Sequence, residues 1–323
     1  MLAQCLDSVV KTVKHCSYEI IVCDNASGDG SMEMLRTNYP DVKAVMNSAN
    51  VGFAVANNQL IRMSQGEFIL LLNNDCLVTD AIDALVAFIR NHSDGAIVGP
   101  RILLPDDTLQ PSFQRTLESP LANLTLTRFS RAKRQERALS SPQSSSRKDK
   151  IMQDYIMEQG YYQNQEVAVV IAACIIVRRK FIEECGLLDE RYFMYREDSD
   201  WCLRAWRQGW KVFYCHEATV YHHHVHRISR NEELTRVLEP SYYKSQLIFS
   251  RTYFGYWKTV LLGFLLSILA MLRFANLLLL FPWSKNRRRC ITNIGIQAGL
   301  IGLPIKYMIG KPFARSATNT CIE

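Results

Sequence analysis

The sequence predicts an α/β protein with a mostly parallel sheet, followed by a helical, apolar C-terminal tail. Short apolar runs alternate with amphipathic stretches of about ten residues through the first half. Acids and asparagines follow directly on two of those runs, at 24–25 and 73–75. A long apolar segment appears at 259–283, after the alternation has ended. Strands alternating with helices of this length form parallel sheets covered on both faces, and such sheets bind ligands at the carboxyl ends of their strands.

The elements follow in order. Residues 2–14 read as a helix, and Glu19-Ile-Ile-Val-Cys23 as a buried strand. Helix is expected at 31–38, a short strand at 43–46 and helix again at 54–64. Phe68-Ile-Leu-Leu-Leu72 is a second apolar strand, with helix over 80–91 and strand over 96–98 after it. Residues 116–160 break the rhythm: Ser140-Ser-Pro-Gln-Ser-Ser-Ser-Arg147 is low-complexity and basic, the composition of a mobile surface loop. Strands are expected again at 167–171 and 175–177, then a helix from Arg179. An acid-rich block covers 189–200, a helix starts near Asp200, and strands follow at 211–214 and 218–221. Beyond Pro240 the chain reads as helical.

Composition narrows the classes. Of 323 residues, 48% are apolar and 21% charged, and the mean hydropathy is −0.07. Bulk disorder, coiled coil and a polytopic membrane protein are excluded as descriptions of the whole. The net charge of +7 is uneven: residues 128–150 hold eight bases against two acids, and 284–323 hold seven against one. The remainder carries 23 bases and 28 acids. The basicity therefore sits in a linker and a tail, which argues against nucleic acid as a partner and for an edge that meets an anionic surface. None of the ten cysteines forms a C-x-x-C pair, and several lie in apolar runs as small core residues. No signal-peptide pattern opens the chain, so a reducing compartment is expected.

Four clusters could carry chemistry. Asp24 ends a strand and opens Asp24-Asn-Ala-Ser-Gly-Asp-Gly30, which suits a ribose or base and equally an Asx-type turn. Asn73-Asn-Asp75 ends the next strand, where Asp75 could hold a divalent cation through oxygen or simply cap the loop. Glu197-Asp-Ser-Asp200 crowds three carboxylates, unfavourable unless a cation or a substrate proton offsets it. A helix N-terminus also favours acids, and Asp200 is the expected cap. His222-His-His224, with His226, offers imidazoles for a metal, or is a polar loop.

Together these segments resemble the family 2 glycosyltransferases of the A-type fold, in particular a rhamnosyltransferase-like branch of bacterial surface-polysaccharide synthesis. The resemblance runs from Leu2 to about Phe254. It rests on Ile21-Val-Cys-Asp-Asn-Ala-Ser-Gly-Asp-Gly30, Asn50-Val-Gly-Phe-Ala-Val-Ala-Asn57, Leu71-Leu-Asn-Asn-Asp75, the block from Gly186 to Arg204, and His222. It implies a Rossmann-like sheet and four regions: a nucleotide-sugar-binding half (1–115), the basic loop (116–160), an acceptor and catalytic half (161–256) and a membrane-associated tail (257–323). By the same resemblance Asp24, Asn25, Asn50, Asn57, Asn73 and Asn74 line the donor pocket. Asp75 is the main ligand of Mg²⁺ or Mn²⁺, with His222 the best match to a late metal-binding histidine. Glu197 and Asp198 match the catalytic Glu-Asp motif, Asp198 as base, and Trp201 stands at the acceptor. The implied reaction is a single displacement with inversion: Asp198 takes the proton of an acceptor hydroxyl, and the cation offsets charge on the departing nucleoside diphosphate. A dTDP-rhamnose donor and a glycan or lipid-linked glycan acceptor are the implied partners.

The chain departs from the family at three places. It begins at the first helix, without the strand that family members place between those ending at Asp24 and Asp75. Ala172-Ala-Cys174 stands where Gly-Ala is usual, and the loop after His222 lacks the usual glycines. Either a longer start or a truncated, inactive, membrane-attached nucleotide-sugar-binding protein is therefore expected. A nicotinamide dehydrogenase could also use Asp24, but no G-x-G-x-x-G precedes it.

Residues 259–283 are long enough to span a bilayer, but Arg273 divides them and basic residues flank both ends. A tail lying on the cytoplasmic leaflet of the inner membrane is expected in preference to a span, held by apolar burial and by Lys285 and Arg287-Arg-Arg289.

Overall fold

The computed structural model describes residues 1–116, 159–223, 232–283 and 287–309. Most of the basic loop, and with it Ser140–Arg147, lies outside the described residues, as do His224, His226 and Lys285.

The apolar runs become strands and the amphipathic stretches helices. Helix α1 (Leu2–Thr12) leads to β1 (Ile21–Asp24), α2 (Ser31–Asn38), β2 (Lys43–Met46), α3 (Phe53–Met63) and β3 (Phe68–Leu72). A short β4 (Cys76–Val78) precedes α4 (Ala81–Asn91) and the long β5 (Gly95–Leu103). Two-residue strands follow: β6 (Leu109–Gln110), β7 (Phe113–Gln114), β8 (Gln165–Glu166) and β9 (Val169–Val170). Then come β10 (Cys174–Arg178), α5 (Arg179–Cys185), α6 (Glu197–Arg207) and β11 (Lys211–His222). The two strands expected at 211–214 and 218–221 are one, β11, with an irregularity between Cys215 and Thr219 in its pairing with β5.

The central sheet runs β3-β10-β5-β11-β4. Its spine is the parallel pair β5–β11, and β10 lies antiparallel between β3 and β5. The sheet is thus mixed, because the chain re-enters it at β10 from the far side of the basic loop. One face packs Phe181, Trp201, Tyr161 and Tyr214; the other packs Leu85 and Ile89 of α4 against Val98, Ile102 and Val220. Side chains of both faces are buried, which is why Ala96–Val98 of β5 and Cys174–Val177 of β10 are apolar at every position.

Strands β1 and β2 pair in parallel as a separate ribbon. Between β1 and β3 lies a cleft of about 620 Å³, lined along its length by Ile21–Asp24, Phe68–Leu72 and the inner face of α1. Among the described residues the two strands share no ladder.

The tail is a three-helix layer of α7 (Glu232–Tyr253), α8 (Tyr256–Leu280) and α9 (Arg287–Ile309), with Tyr243, Leu247, Leu262, Leu266, Ile296 and Leu300 at its centre. Helix α7 begins ahead of Pro240 and carries it in its interior. Residues Tyr256–Trp283 are long and apolar enough to cross a membrane, with a mean hydropathy of 2.2 in their most apolar window. Arg273 turns inward: its Nη1 donates to Tyr243 Oη (2.7 Å) and lies 3.7 Å from Glu239 Oε1.

A two-stranded ribbon has little stability of its own. Backbone amides of β1 and β2 are expected to exchange with solvent faster than those of β5, β10 and β11. Hydrogen-exchange mass spectrometry checks this, and equal protection would show that the ribbon opens only with the whole sheet.

Candidate active site

The antiparallel register of β4 on β11 pairs His222 with Cys76. It brings His222 Nε2 to 3.3 Å from Asp75 Oδ1, with both residues buried. His223 contributes its backbone, donating to Asp75 O (2.9 Å). Cys76 Sγ, Asp75 and His222 offer ligand atoms within 4.8 Å of one another. The Cys76 thiol donates to Ala173 O (3.5 Å), and burial pushes its pKa far up, so it stays protonated. The hard oxygen and nitrogen donors of this set are the Asp75 carboxylate and the His222 imidazole.

The second cluster opens α6. Tyr195 and Arg196 both hold φ +72, a left-handed backbone uncommon outside glycine. The turn is braced from α7: Ser245 Oγ donates to Met194 O (2.9 Å), and Arg196 Nε and Nη2 both donate to Gln246 Oε1 (3.1 and 2.9 Å). Glu197 is buried, and Asp198 half-buried. Burial, then the Asp198 charge, raise the Glu197 carboxyl well above its usual range. Burial also raises Asp198, but the Ser199 N–H (2.6 Å) and the Arg196 charge oppose it. Both carboxyls are thus pushed up, Glu197 further than Asp198, so of the two Asp198 is the readier to ionise.

The third group lies at the carboxyl end of the cleft, whose lining includes Asp24, Asn25, Asn57, Asn73 and Asn74. Asp24 Oδ1 accepts from Ser27 N–H (3.0 Å), the Asx-type turn. Asn25 Nδ2 donates to Asn50 Oδ1 (2.8 Å), and Asn25 Oδ1 accepts from Val51 N–H (3.1 Å), so this pair shapes the loop ahead of α3. Asn57 Nδ2 donates to Phe53 O (2.9 Å) within α3.

The profile of "Glycosyl transferase family 2" matches residues 1–186, more than half of the chain. The chain belongs to glycosyl transferase family 2. It is 27% identical over 291 residues to an N-acetylglucosaminyl-diphospho-decaprenol L-rhamnosyltransferase of Mycobacterium tuberculosis, covering 84% of this chain and 86% of that protein. It is 24% identical over 240 residues to the O-antigen biosynthesis protein RfbC of Myxococcus xanthus, covering 69% of this chain and 16% of that one. Among solved structures, GalNAc-T7 with UDP, GalNAc and Mn²⁺ superposes with a TM-score of 0.50 at 15% identity. The match covers 78% of this chain and about half (48%) of that one. The α/β fold of the A type expected from the sequence is thereby shown.

Two sequence expectations for this glycosyltransferase are corrected. Trp201 does not face an acceptor: it is fully buried, its Nε1 donates to Gly186 O (2.9 Å), and its ring packs on Phe181. A large aromatic on the inner face of α6 is worth more to the core than to a surface site. Asp200 does not cap the helix, which starts at Glu197; it is buried between Arg204 Nε (2.9 Å) and Tyr253 Oη (2.5 Å).

Other residues shape the site without any motif marking them. Asn58 is wholly buried, and its side chain bonds both Leu188 N–H and Leu188 O, tying α3 to the segment that leads to Glu197. Gly52, at φ +87, lies so close to Phe193 that a Cβ would stand 2.5 Å from Phe193 O. Ala173 O accepts from Asn73 N–H (2.9 Å) and from the Cys76 thiol (3.5 Å), which ties the segment ahead of β10 to the loop that carries Asp75.

For Glu197 the folded pKa lies above the unfolded one, so the folded state binds the extra proton and stability falls as pH rises through that interval. Glu197→Gln removes the titration, and its melting temperature is expected to fall less between pH 5 and pH 8 (roughly the span above the ordinary Glu pKa) than that of the wild type. Parallel pH profiles would mean that Glu197 keeps an ordinary pKa.

Proposed function

We propose that the chain transfers L-rhamnose, with inversion, from dTDP-rhamnose to a hydroxyl of a lipid-linked glycan at the cytoplasmic face of the inner membrane. The observation that carries the catalytic part is the presence of two separate acid centres, Asp75 beside His222 and Asp198 beside Glu197. The rhamnosyl group and the lipid-linked acceptor draw on the activity named for the mycobacterial relative, and the dTDP carrier on the family resemblance.

A carboxylate and an imidazole fit Mn²⁺ or Mg²⁺, leaving the remaining positions to diphosphate oxygens and water. When bound, the cation would stabilise negative charge on the nucleoside diphosphate. Asp75 and His222 would hold it, and Asp24, Asn57, Asn73 and Asn74 would line the donor's nucleoside end. Asp198, half-buried, takes the proton from the acceptor hydroxyl as its oxygen attacks the anomeric carbon. The Arg196 charge and the Ser199 hydrogen bonds favour its charged form, while burial and the Asp198 charge push Glu197 further toward the neutral acid.

The cleft between β1 and β3 favours a second reading, a nucleotide-sugar-binding protein without turnover, because the donor pocket borders an open sheet edge. Transfer of radiolabelled rhamnose to a polyprenyl-diphosphate-linked N-acetylglucosamine separates the two. Asp198→Asn is expected to lower turnover by about 10²-fold or more while leaving donor affinity unchanged. Equal turnover would remove Asp198 as base; donor binding with no transfer by the wild type would favour the second reading. EDTA is expected to abolish donor binding, and binding that survives it would remove the cation from the mechanism.

The proposed membrane contact is peripheral. Trp257 and Trp283 are 79% and 80% exposed at the two ends of α8, and Leu261, Phe264, Leu272 and Leu279 lie exposed between them. On a helix these side chains fall on one face. The opposite face packs on α7 and α9, whose Arg236 and Glu239 could not enter a bilayer cheaply. The exposed Arg287, Arg288 and Arg289 suit anionic headgroups at roughly 1 kcal/mol each. Replacing Trp257, Phe264, Leu272 and Leu279 by Ser is expected to release the protein from phosphatidylglycerol vesicles in flotation assays with no loss of folding. Unchanged flotation would rule this face out as the contact.

A further inference from the structure

Gln110 belongs to no motif and stands on the two-residue strand β6, yet it touches the metal-holding pair. In the sheet Gln110 lies opposite Ile102 of β5, and Ile102 lies opposite Val220 of β11. Val220 and His222 share a face of β11, since side chains repeat with a period of two. The Gln110 side chain runs along this face, and its Oε1 lies 2.9 Å from His222 Nδ1. The contact is held from outside as well: Tyr221 Oη donates to Asp107 Oδ1 (2.9 Å), and Leu104 N–H donates to Thr108 O (2.8 Å), fixing the turn between β5 and β6 to β11.

A neutral imidazole carries one proton, and its two nitrogens then have opposite roles. Two arrangements are self-consistent here. With the Gln110 oxygen toward His222, Nδ1 keeps the proton and Nε2 presents its lone pair toward Asp75. With the Gln110 amide turned over, its N–H₂ donates to Nδ1, and Nε2 carries a proton that bonds the Asp75 carboxylate. Only the first leaves both Nε2 and Asp75 Oδ1 as ligand atoms on the same side. The heavy-atom placement matches the first: Oε1 faces Nδ1, and Nε2 is 3.3 Å from Asp75 Oδ1.

We propose that Gln110 is a positioning residue for metal binding: its Oε1 accepts the Nδ1 proton of His222 and so selects the tautomer whose Nε2 can coordinate a divalent cation beside Asp75. This rests on the reading of Asp75 and His222 as the cation-holding pair. A glutamate at 110 could only accept and would enforce the same tautomer; a leucine would fill the space and leave the proton free to move to Nε2 and bond Asp75.

The test measures Mn²⁺ binding to the full chain, without donor, by electron paramagnetic resonance. Gln110→Leu is expected to raise the Kd about 10- to 100-fold, the usual effect of removing a hydrogen-bond partner of a ligating histidine. Gln110→Glu is expected to bind Mn²⁺ at least as tightly as the wild type. In the metal-free protein, long-range ¹⁵N–¹H spectra of labelled histidine are expected to show His222 protonated at Nδ1, and protonated at Nε2 in Gln110→Leu. Thermal melts of the same samples separate a loss of fold from a loss of ligand geometry. A Gln110→Leu protein that binds Mn²⁺ within about twofold of the wild type, or a wild type with its proton on Nε2, would overturn the proposal. His222→Ala serves as the control for the underlying reading. If it binds Mn²⁺ as tightly as the wild type, the pair holds no cation and this inference falls with it. If His222→Ala loses binding and Gln110→Leu does not, only the role of Gln110 is lost.

Discussion

The antiparallel register that sets His222 opposite Cys76 is the constraint on which the candidate site depends. Side chains alternate along a strand, so a slip of one residue would turn His222 away from Asp75 and bring Tyr221 or His223 to its place. Several contacts pin the register. Thr79 Oγ1 donates to Thr219 O (3.0 Å), Arg101 bonds Thr219 Oγ1, and the long parallel ladder of β5 holds the rest of β11 in line. The irregularity between Cys215 and Thr219 adjusts the pairing just ahead of the metal-side end. The ambiguity of three consecutive histidines in the sequence is thus resolved between His222 and His223 by sheet pairing, which no local pattern encodes.

The legible part of the protein was the part governed by local periodicity and strand-end chemistry. The strands at 43–46 and 68–72 and the helix at 31–38 lie where the apolar pattern put them. Asp24 at the end of β1 and Asn73 directly after β3 were legible because each is the first polar residue after an apolar run, which marks the strand's carboxyl edge. What stayed hidden depends on long-range partners. Strand β4 has three residues and is defined only by β11; β6 has two and is defined only by β5. Trp201 and Asp200 were misplaced because the helix starts three residues earlier than the apolar pattern indicates. That start rotates both side chains into the core, toward Phe181 and toward Arg204 and Tyr253. Gln110 and Asn58 make contacts across more than 100 residues of chain, and nothing near them in sequence marks the fact.

The acid pair at 197–198 shows how two adjacent carboxyls acquire different roles. Both are pushed up by burial, so the difference comes from hydrogen bonds and neighbouring charge. Asp198 receives the Ser199 N–H and hydroxyl and the field of Arg196, whereas Glu197 Oε2 is buried without a hydrogen-bond partner. Arg196 can act this way because it is anchored to a neutral amide, Gln246, and stacked 4.9 Å from the Phe249 ring. A carboxylate in the place of Gln246 would compete with Asp198 for the same cation.

Helix α7 joins this chemistry to the tail. Ser245, Gln246 and Tyr253 reach the segment 194–200, while Tyr243 and Leu247 pack against α8 and α9. The strained turn at Tyr195 and Arg196 therefore has its support in the same helix that receives Arg273 from α8. Arg273 is drawn onto Tyr243 and Glu239, and Gln297 Nε2 donates to the same Glu239 (3.0 Å), so these polar groups meet inside the layer. The outer face of α8 is left free of charge between Lys258 and Trp283 as a consequence, although the helix contains an arginine. In the proposed peripheral arrangement, one rigid helix then sets both the depth of α8 in the headgroups and the position of Asp198. A lipid-linked hydroxyl would meet the base at a height fixed by side-chain packing.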